Sequence, residues 1–212
     1  MSTGGTERPA GLRERKKALT RTTIEDVALR MFTERGYEPV RLDDICSEAA
    51  VSLRTFFRYF GAKEDLVFDR LRARLVLARH LLDERPATEF LPESVLFVIE
   101  QTAAEYAAEP ERELTRLRLV SDTPALQLGL HTVFAGFERC VRDFAATRIG
   151  VGAATPRPRL LAATTVSAFR VGLEMWTEGD ATAHLPTLVA HNLAILRGDP
   201  FATTGPEGGA ED

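Results

Sequence analysis

Apolar residues recur at three- and four-residue intervals along nearly the whole chain, and no stretch alternates with the two-residue period of a strand. The pattern predicts an all-α protein of about nine helices: an N-terminal three-helix unit and a larger C-terminal helical bundle. A first long helix covers Lys16–Arg35, with Leu19, Ile24, Val27, Ala28, Met31 and Phe32 on one side and Gly36 as its left-handed stop. Residues 37–66 then read as two short helices joined by a tight turn. Leu42, Ile45, Cys46 and Ala49 share the buried face of the first, Val51 fills the turn, and Ser52 caps a second helix that starts at Leu53. Phe56, Phe57 and Phe60 are expected to fix that helix from behind, leaving Leu53, Arg54, Thr55 and Arg58 outside.

The remainder is helical again. Lys63–Glu84 places Leu66, Val67, Leu71, Leu75, Ala78 and Leu82 on its buried side, with Glu64 and Asp65 favouring the helix dipole in its first turn. Pro92, Pro110 and Pro124 open three further helices, because proline at a helix start gives up no hydrogen bond. Their expected inward residues are Val95, Leu96, Ile99, Ala103 and Tyr106; Leu114, Leu117 and Val120; and Leu126, Leu130, Val133, Phe134, Phe137, Val141 and Phe144. The helix over Arg159–Glu178 turns Leu161, Thr164, Thr165, Ala168, Val171, Gly172 and Met175 inward; the last holds Leu185, Leu188, Val189, Leu193 and Leu196. We divide the chain into an arm and helix-turn-helix domain (1–62), a helical ligand-binding and dimerisation domain (63–200) and a disordered tail (201–212). The helix 63–84 connects the two domains, and the loop between Pro86 and Pro92 is the main break in composition. Met1–Leu12 and Ala202–Asp212 lack an apolar face and are expected to fray.

Two short helices with an exposed Leu-Arg-Thr leading turn are how a small helical unit presents side chains to a DNA major groove. The net charge of −4 argues the other way, but its distribution does not. Residues 1–60 carry 11 basic and 9 acidic residues, residues 61–212 carry 16 and 22, and Arg8–Arg21 holds six basic residues against Glu14 alone. Positive charge therefore gathers beside the helix pair, where phosphate contacts are needed.

The two cysteines, Cys46 and Cys140, sit in apolar helical patterns and read as core residues. Arg170 divides the best apolar stretch short of the ~18 residues of a membrane span, and no secretory segment follows the basic N-terminus, so a cytoplasmic location is expected. No metal-ligand spacing, Gly-rich phosphate loop or nucleophile motif is present, so neither catalysis nor a cofactor is expected. For a ligand cavity, periodicity turns Phe97, Tyr106, Arg118, His131, Phe134, Glu138, Phe169 and Trp176 inward, a mostly apolar set with a few polar anchors.

From Arg15 to Leu71 the chain resembles the TetR family of bacterial transcriptional regulators. The resemblance is carried by Phe32-Thr-Glu-Arg-Gly36-Tyr37, Asp44-Ile45-Cys46, Ala49-Ala50-Val51-Ser52, Thr55-Phe56-Phe57-Arg58-Tyr59-Phe60 and Lys63-Glu64-Asp65-Leu66. Arg116–Leu126 and Arg159–Ala163 resemble, less specifically, the acyl-CoA-responsive subgroup to which mycofactocin-locus regulators belong. The resemblance implies a homodimeric repressor on a palindromic operator, released by a small, largely apolar effector such as an acyl-CoA, with dimerisation through the two C-terminal helices and no membrane partner. It implies that Leu53, Arg54 and Thr55 face bases, Ser52 starts the recognition helix, and Arg41, Arg58, Tyr59 and Lys63 meet phosphates; Phe97, Tyr106, Arg118, His131, Phe134 and Trp176 are the candidate effector contacts. The chain departs from the family pattern in Ala50 for a turn glycine, Phe57 for a tyrosine, Arg41 for a threonine cap and Ala62 for a serine cap. The alternative is a helical small-molecule-binding protein or enzyme that keeps the N-terminal fold without using it.

Overall fold

A computed structural model of the chain describes residues 11–198. The expected tail at 201–212, with most of the arm, lies outside the described residues; of the N-terminal segment expected to fray, Gly11 and Leu12 instead begin the first helix. The elements in order are α1 (Leu12–Arg35), α2 (Leu42–Glu48), α3 (Leu53–Phe57), α4 (Asp65–Asp83), α5 (Leu91–Ala107), α6 (Pro110–Asp122), α7 (Pro124–Ile149), α8 (Pro156–Glu178) and α9 (Leu185–Arg197). No strand occurs among the described residues, and no helix there is long and apolar enough to cross a membrane.

The helices form two compact units. One runs as far as Leu71 and includes Thr115–Leu130; the other comprises Arg72–Leu114 and the chain from His131 onward.

In the first unit α1 packs on α2 and α2 on α3 around Ile24, Ala28, Met31, Phe32, Val40, Ile45, Phe56 and Phe60. Gly36 has φ +83° and donates its N–H to the Phe32 carbonyl at 2.9 Å, ending α1 where the sequence places the stop. Charged groups tie the layers: the buried Glu25 carboxylate receives Arg21 at 3.3 Å and Arg70 at 3.4 Å, while Arg21 also reaches Asp69 at 2.7 Å. Arg116 is fully buried and donates to the carbonyls of Leu66 and Val67 at 2.9 and 3.0 Å. Gly129 admits the Phe68 ring, which a Cβ there would meet at 2.5 Å.

In the second unit α9 packs on α8 and α5. Gly172 permits the α8–α9 approach, since a Cβ would lie 2.7 Å from Val189 Cγ2, and Asn192 Nδ2 donates across to the Ala168 carbonyl at 3.1 Å. Trp176 Nε1 closes the following turn on the Ala183 carbonyl at 3.1 Å. Arg74 and Glu113 form an almost wholly buried pair at 2.8 Å, with the Arg74 guanidinium also 3.8 Å from the Tyr106 ring centre. Such a pair does little for net stability, yet losing one partner costs about 3–5 kcal/mol because the other charge stays buried.

The structure departs from expectation in particular places. α8 begins at Pro156, three residues before Arg159, because proline tolerates the first helical turn. Leu19 is 68% exposed, as α1 extends beyond the layer that covers its later turns. Thr164, Val171, Met175 and Leu196 are exposed: the face of α8 that packs on its neighbours is Ala162, Thr165, Val166, Phe169, Gly172, Leu173 and Trp176, and the helix carries a second apolar face opposite.

Ala50 in the α2–α3 turn has φ +52°, a left-handed conformation that costs an L-residue with a Cβ about 1–2 kcal/mol. Ala50→Gly is therefore expected to raise stability by about 1 kcal/mol, after glycine's extra freedom in the unfolded chain is subtracted. Urea unfolding measures this; an unchanged or lower midpoint would show that the turn bears no such strain.

Candidate nucleic-acid interface and ligand cavity

The α2–turn–α3 segment is built from local hydrogen bonds and aromatic anchors. The Asp44 carboxylate accepts the Arg41 backbone N–H at 3.0 Å, so α2 starts in an ordered way although Arg41 offers no side-chain acceptor. Ser52 Oγ accepts the Thr55 N–H at 3.1 Å and lies 3.0 Å from Thr55 Oγ1, as expected of an N-cap. Phe56 and Phe60 are buried, their ring centres 5.4 Å apart, and Arg21 of α1 lies 4.9 Å from the Phe60 ring. After α3, Asp65 accepts the N–H groups of Gly61 and Ala62 at 2.8 and 2.9 Å, supplying the cap that Ala62 cannot.

The outward face carries Leu53 and Arg54, both exposed, with Thr55 half-buried. Arg54 makes no hydrogen bond or ion pair with another described residue, so its guanidinium is uncommitted. Arg58 donates to Tyr59 Oη at 3.1 Å and stacks 4.9 Å over its ring, which joins the two into one unit at the end of α3. Arg41 is exposed at the start of α2. Lys63 differs from a free phosphate ligand. Its ammonium donates to the carbonyls of Tyr37 and Glu38, sits 4.2 Å from the Tyr37 ring, and has its pKa pulled below the usual lysine value by burial.

Phe57 corrects the expectation that three rings back the helix. It is 55% exposed, its ring edge-on to Phe56 at 5.4 Å. The reason is angular: Phe56 and Phe60, four residues apart, take the core face, and Phe57 lies about 100° round the helix from Phe56. Its four-residue spacing from Leu53 was the available signal that it belongs with the outer set.

In the second unit, α4, α5, α7 and α8 form a slot of about 30 Å³ lined by Ala78, Leu82, Val98, Thr102, Phe137, Val141 and Phe169, among others. Its lining contains no charged residue, and the Thr102 hydroxyl is spent on the Val98 carbonyl at 2.7 Å. Of the eight aromatic and polar residues expected to line a cavity, Phe169 alone does so, whereas Ala78, Leu82, Val95, Ile99, Phe137, Val141 and Thr165, expected simply to face inward, are in its wall. Tyr106 and Trp176 are buried elsewhere, Tyr106 edge-on to Phe169 at 5.9 Å; Phe97 and Phe134 are half-buried, Phe97 under Arg85 at 4.2 Å. Arg118 and His131 are exposed rather than inward. Two residues of helix turn a side chain through about 200°, so Arg116, and not Arg118, is the buried arginine. Val95, Val98, Ile99 and Thr102 supply the α5 wall at spacings of three, four and seven, a stripe legible in the sequence but not separable there from ordinary core. No group of three or more potential metal ligands occurs among the described residues.

Known proteins share both parts. Residues 24–69 match the family model for bacterial regulatory proteins of the tetR family, and residues 92–199, just over half the chain, match the MftR C-terminal domain. A Mycobacterium tuberculosis protein named as a candidate mycofactocin biosynthesis transcriptional regulator, MftR, is 26% identical over 169 residues, covering 80% of this chain and 85% of that one. The HTH-type transcriptional regulator TcmR of Streptomyces glaucescens is 36% identical over 88 residues, 42% of this chain and 39% of its own. Among solved structures, Thermus thermophilus FadR, a TetR-family repressor in complex with lauroyl-CoA, superposes with a TM-score of 0.54 at 20% identity, covering 89% of this chain and 99% of that one. The helix-turn-helix and the C-terminal match together make the chain a member of the TetR family of transcriptional regulators.

Proposed function

We propose that the protein is a homodimeric repressor that binds a palindromic operator through α3 and is released when an acyl chain, such as that of an acyl-CoA, enters the slot. The observation that carries the DNA reading is the outward face of α3, where an uncommitted Arg54 guanidinium stands beside Leu53 and Phe57 on a helix held from behind by Phe56 and Phe60. A guanidinium pairs with both acceptors of a guanine edge, and apolar side chains meet the thymine methyl group. Arg41, Arg58 and Tyr59 supply phosphate contacts, Ser52 and Thr55 fix the leading turn, and Lys63 orders the loop before Arg41 while keeping donors for a phosphate. The helix-turn-helix segment through residue 62 acts as the DNA-binding domain and 63–200 as the ligand-binding and dimerisation domain.

Dimerisation is supported by the second apolar face, where Leu160, Val171 and Met175 on α8 and Ile195 and Leu196 on α9 are exposed. A twofold dimer presents two recognition helices to successive major grooves about 34–36 Å apart. The uncharged slot suits an aliphatic chain, the ligand type that the Thermus FadR structure contains. At about 30 Å³ the slot is too small for an acyl chain, so a chain enters only as its walls separate, and occupancy shifts the protein between two arrangements.

Selecting bound DNA from a random pool tests the DNA reading. Wild-type protein is expected to recover an inverted repeat with an affinity that falls steeply with salt. Arg54→Ala should relax preference at one guanine per half-site by about 1–3 kcal/mol; an unchanged consensus would remove Arg54 from base reading. Replacing one thymine per half-site by deoxyuridine should weaken wild-type binding about fourfold, the worth of a buried methyl group at ~0.8 kcal/mol, and leave Phe57→Ala unaffected. Equal losses in both proteins would place the methyl group against something else. For the effector, Val98→Phe should fill the slot and abolish release by lauroyl-CoA while operator affinity stays the same; undiminished release would locate the acyl chain elsewhere.

A further inference from the structure

Two hydroxyl groups stand in the wall of the slot, those of Thr102 and Thr165. Thr102 spends its proton on the Val98 carbonyl at 2.7 Å. Thr165, on α8 beside the wall residues Val166 and Phe169, is only 5% exposed and makes no side-chain hydrogen bond with any described residue. The Cys140 thiol, also in the wall, lies beside Arg79.

A threonine inside a helix commonly returns its proton to the carbonyl four residues earlier. Thr20, Thr23, Thr33, Thr102 and Thr147 all do so, at 2.7–3.0 Å. For Thr165 the corresponding acceptor is Leu161, whose carbonyl receives the Thr164 hydroxyl at 3.1 Å in addition to the N–H that the helix ladder brings to it. A carbonyl oxygen has two lone pairs, so both are taken. The Thr165 proton is thereby left without an acceptor at the edge of an apolar space, an arrangement that costs stability. Valine has the same shape and would serve packing without that cost.

We propose that the effector held in the slot carries a ketone oxygen with hydrocarbon on either side, and that Thr165 donates to it. The inference rests on the reading of the slot as the effector site, and it narrows the occupant from a plain aliphatic chain to one bearing an oxo group. The unspent proton calls for an acceptor. A carboxylate would supply one, but no charged residue lines the slot to pair with it, and an unpaired ion in apolar surroundings costs far more than one hydrogen bond returns. A ketone brings the acceptor without the charge, and the apolar remainder of the wall, including Leu82, Val98, Phe137 and Phe169, suits the hydrocarbon around it.

The test is ligand-dependent thermal stabilisation of the full chain by 4-heptanone and by heptane, a probe of similar shape that has no acceptor. Thr165→Val is expected to weaken 4-heptanone about tenfold and to bind heptane at least as tightly as the wild type does. Thr165→Ser, which keeps the donor, should hold the ketone within about threefold of wild type. Without ligand, Thr165→Val should melt no lower than wild type, so that lost ketone affinity is not lost folding. A fall in melting temperature together with equal loss of both probes would make Thr165 a packing residue and overturn the proposal. Failure of the wild type to bind 4-heptanone overturns it as well. Val98→Phe separates this inference from the slot reading. If that variant loses both probes while Thr165→Val treats them alike, the slot stands and the ketone assignment falls; if it keeps 4-heptanone, the slot is not the site and both readings fall.

Discussion

A helix of five residues cannot hold itself together in water, and the candidate nucleic-acid interface proposed for this protein is built on one. α3 exists because Phe56 and Phe60 are buried against α1 and α2 while Ser52 caps its start. Each fully buried aromatic ring contributes about 1.5–3 kcal/mol, which offsets a large part of the cost of ordering so short a segment. The outer face is then free to be chosen for what it meets. Leu53, Arg54, Phe57 and Arg58 contribute little to the core, and their exposure follows from the burial of the two rings behind them.

The same logic extends to the flanks of α3. Lys63 reaches back to the carbonyls of Tyr37 and Glu38, and Asp65 accepts the N–H groups of Gly61 and Ala62, so both ends of the segment are pinned by side chains from the start of the next helix. The left-handed Ala50 is the one place where the turn keeps a conformation its residue disfavours. An element whose stability is borrowed in this way is well defined in position but sensitive to its neighbours, a suitable state for a reading head in a transcriptional regulator.

In the second unit apolar packing and buried charge divide the work. The approach of α8 and α9 at Gly172 gives a dense contact, and Arg74 with Glu113 places an ion pair where only one geometry satisfies it. The slot stays small because nothing polar holds it open.

Helical periodicity, proline at helix starts and Gly36 were sufficient to determine the all-α class and the order of helices, because these signals act within a few residues of chain. The cap at Ser52 and the outward placement of Leu53 and Arg54 were legible for the same reason. Tertiary structure decided which side of a two-faced helix is covered. Periodicity alone could not say that Val171 and Met175 face outward, that Arg116 and not Arg118 is buried, or that Phe57 leaves the aromatic cluster. Those outcomes depend on which neighbour reaches a given face, and that choice is made by contacts distant in sequence, where a turn of 100° per residue separates core from surface.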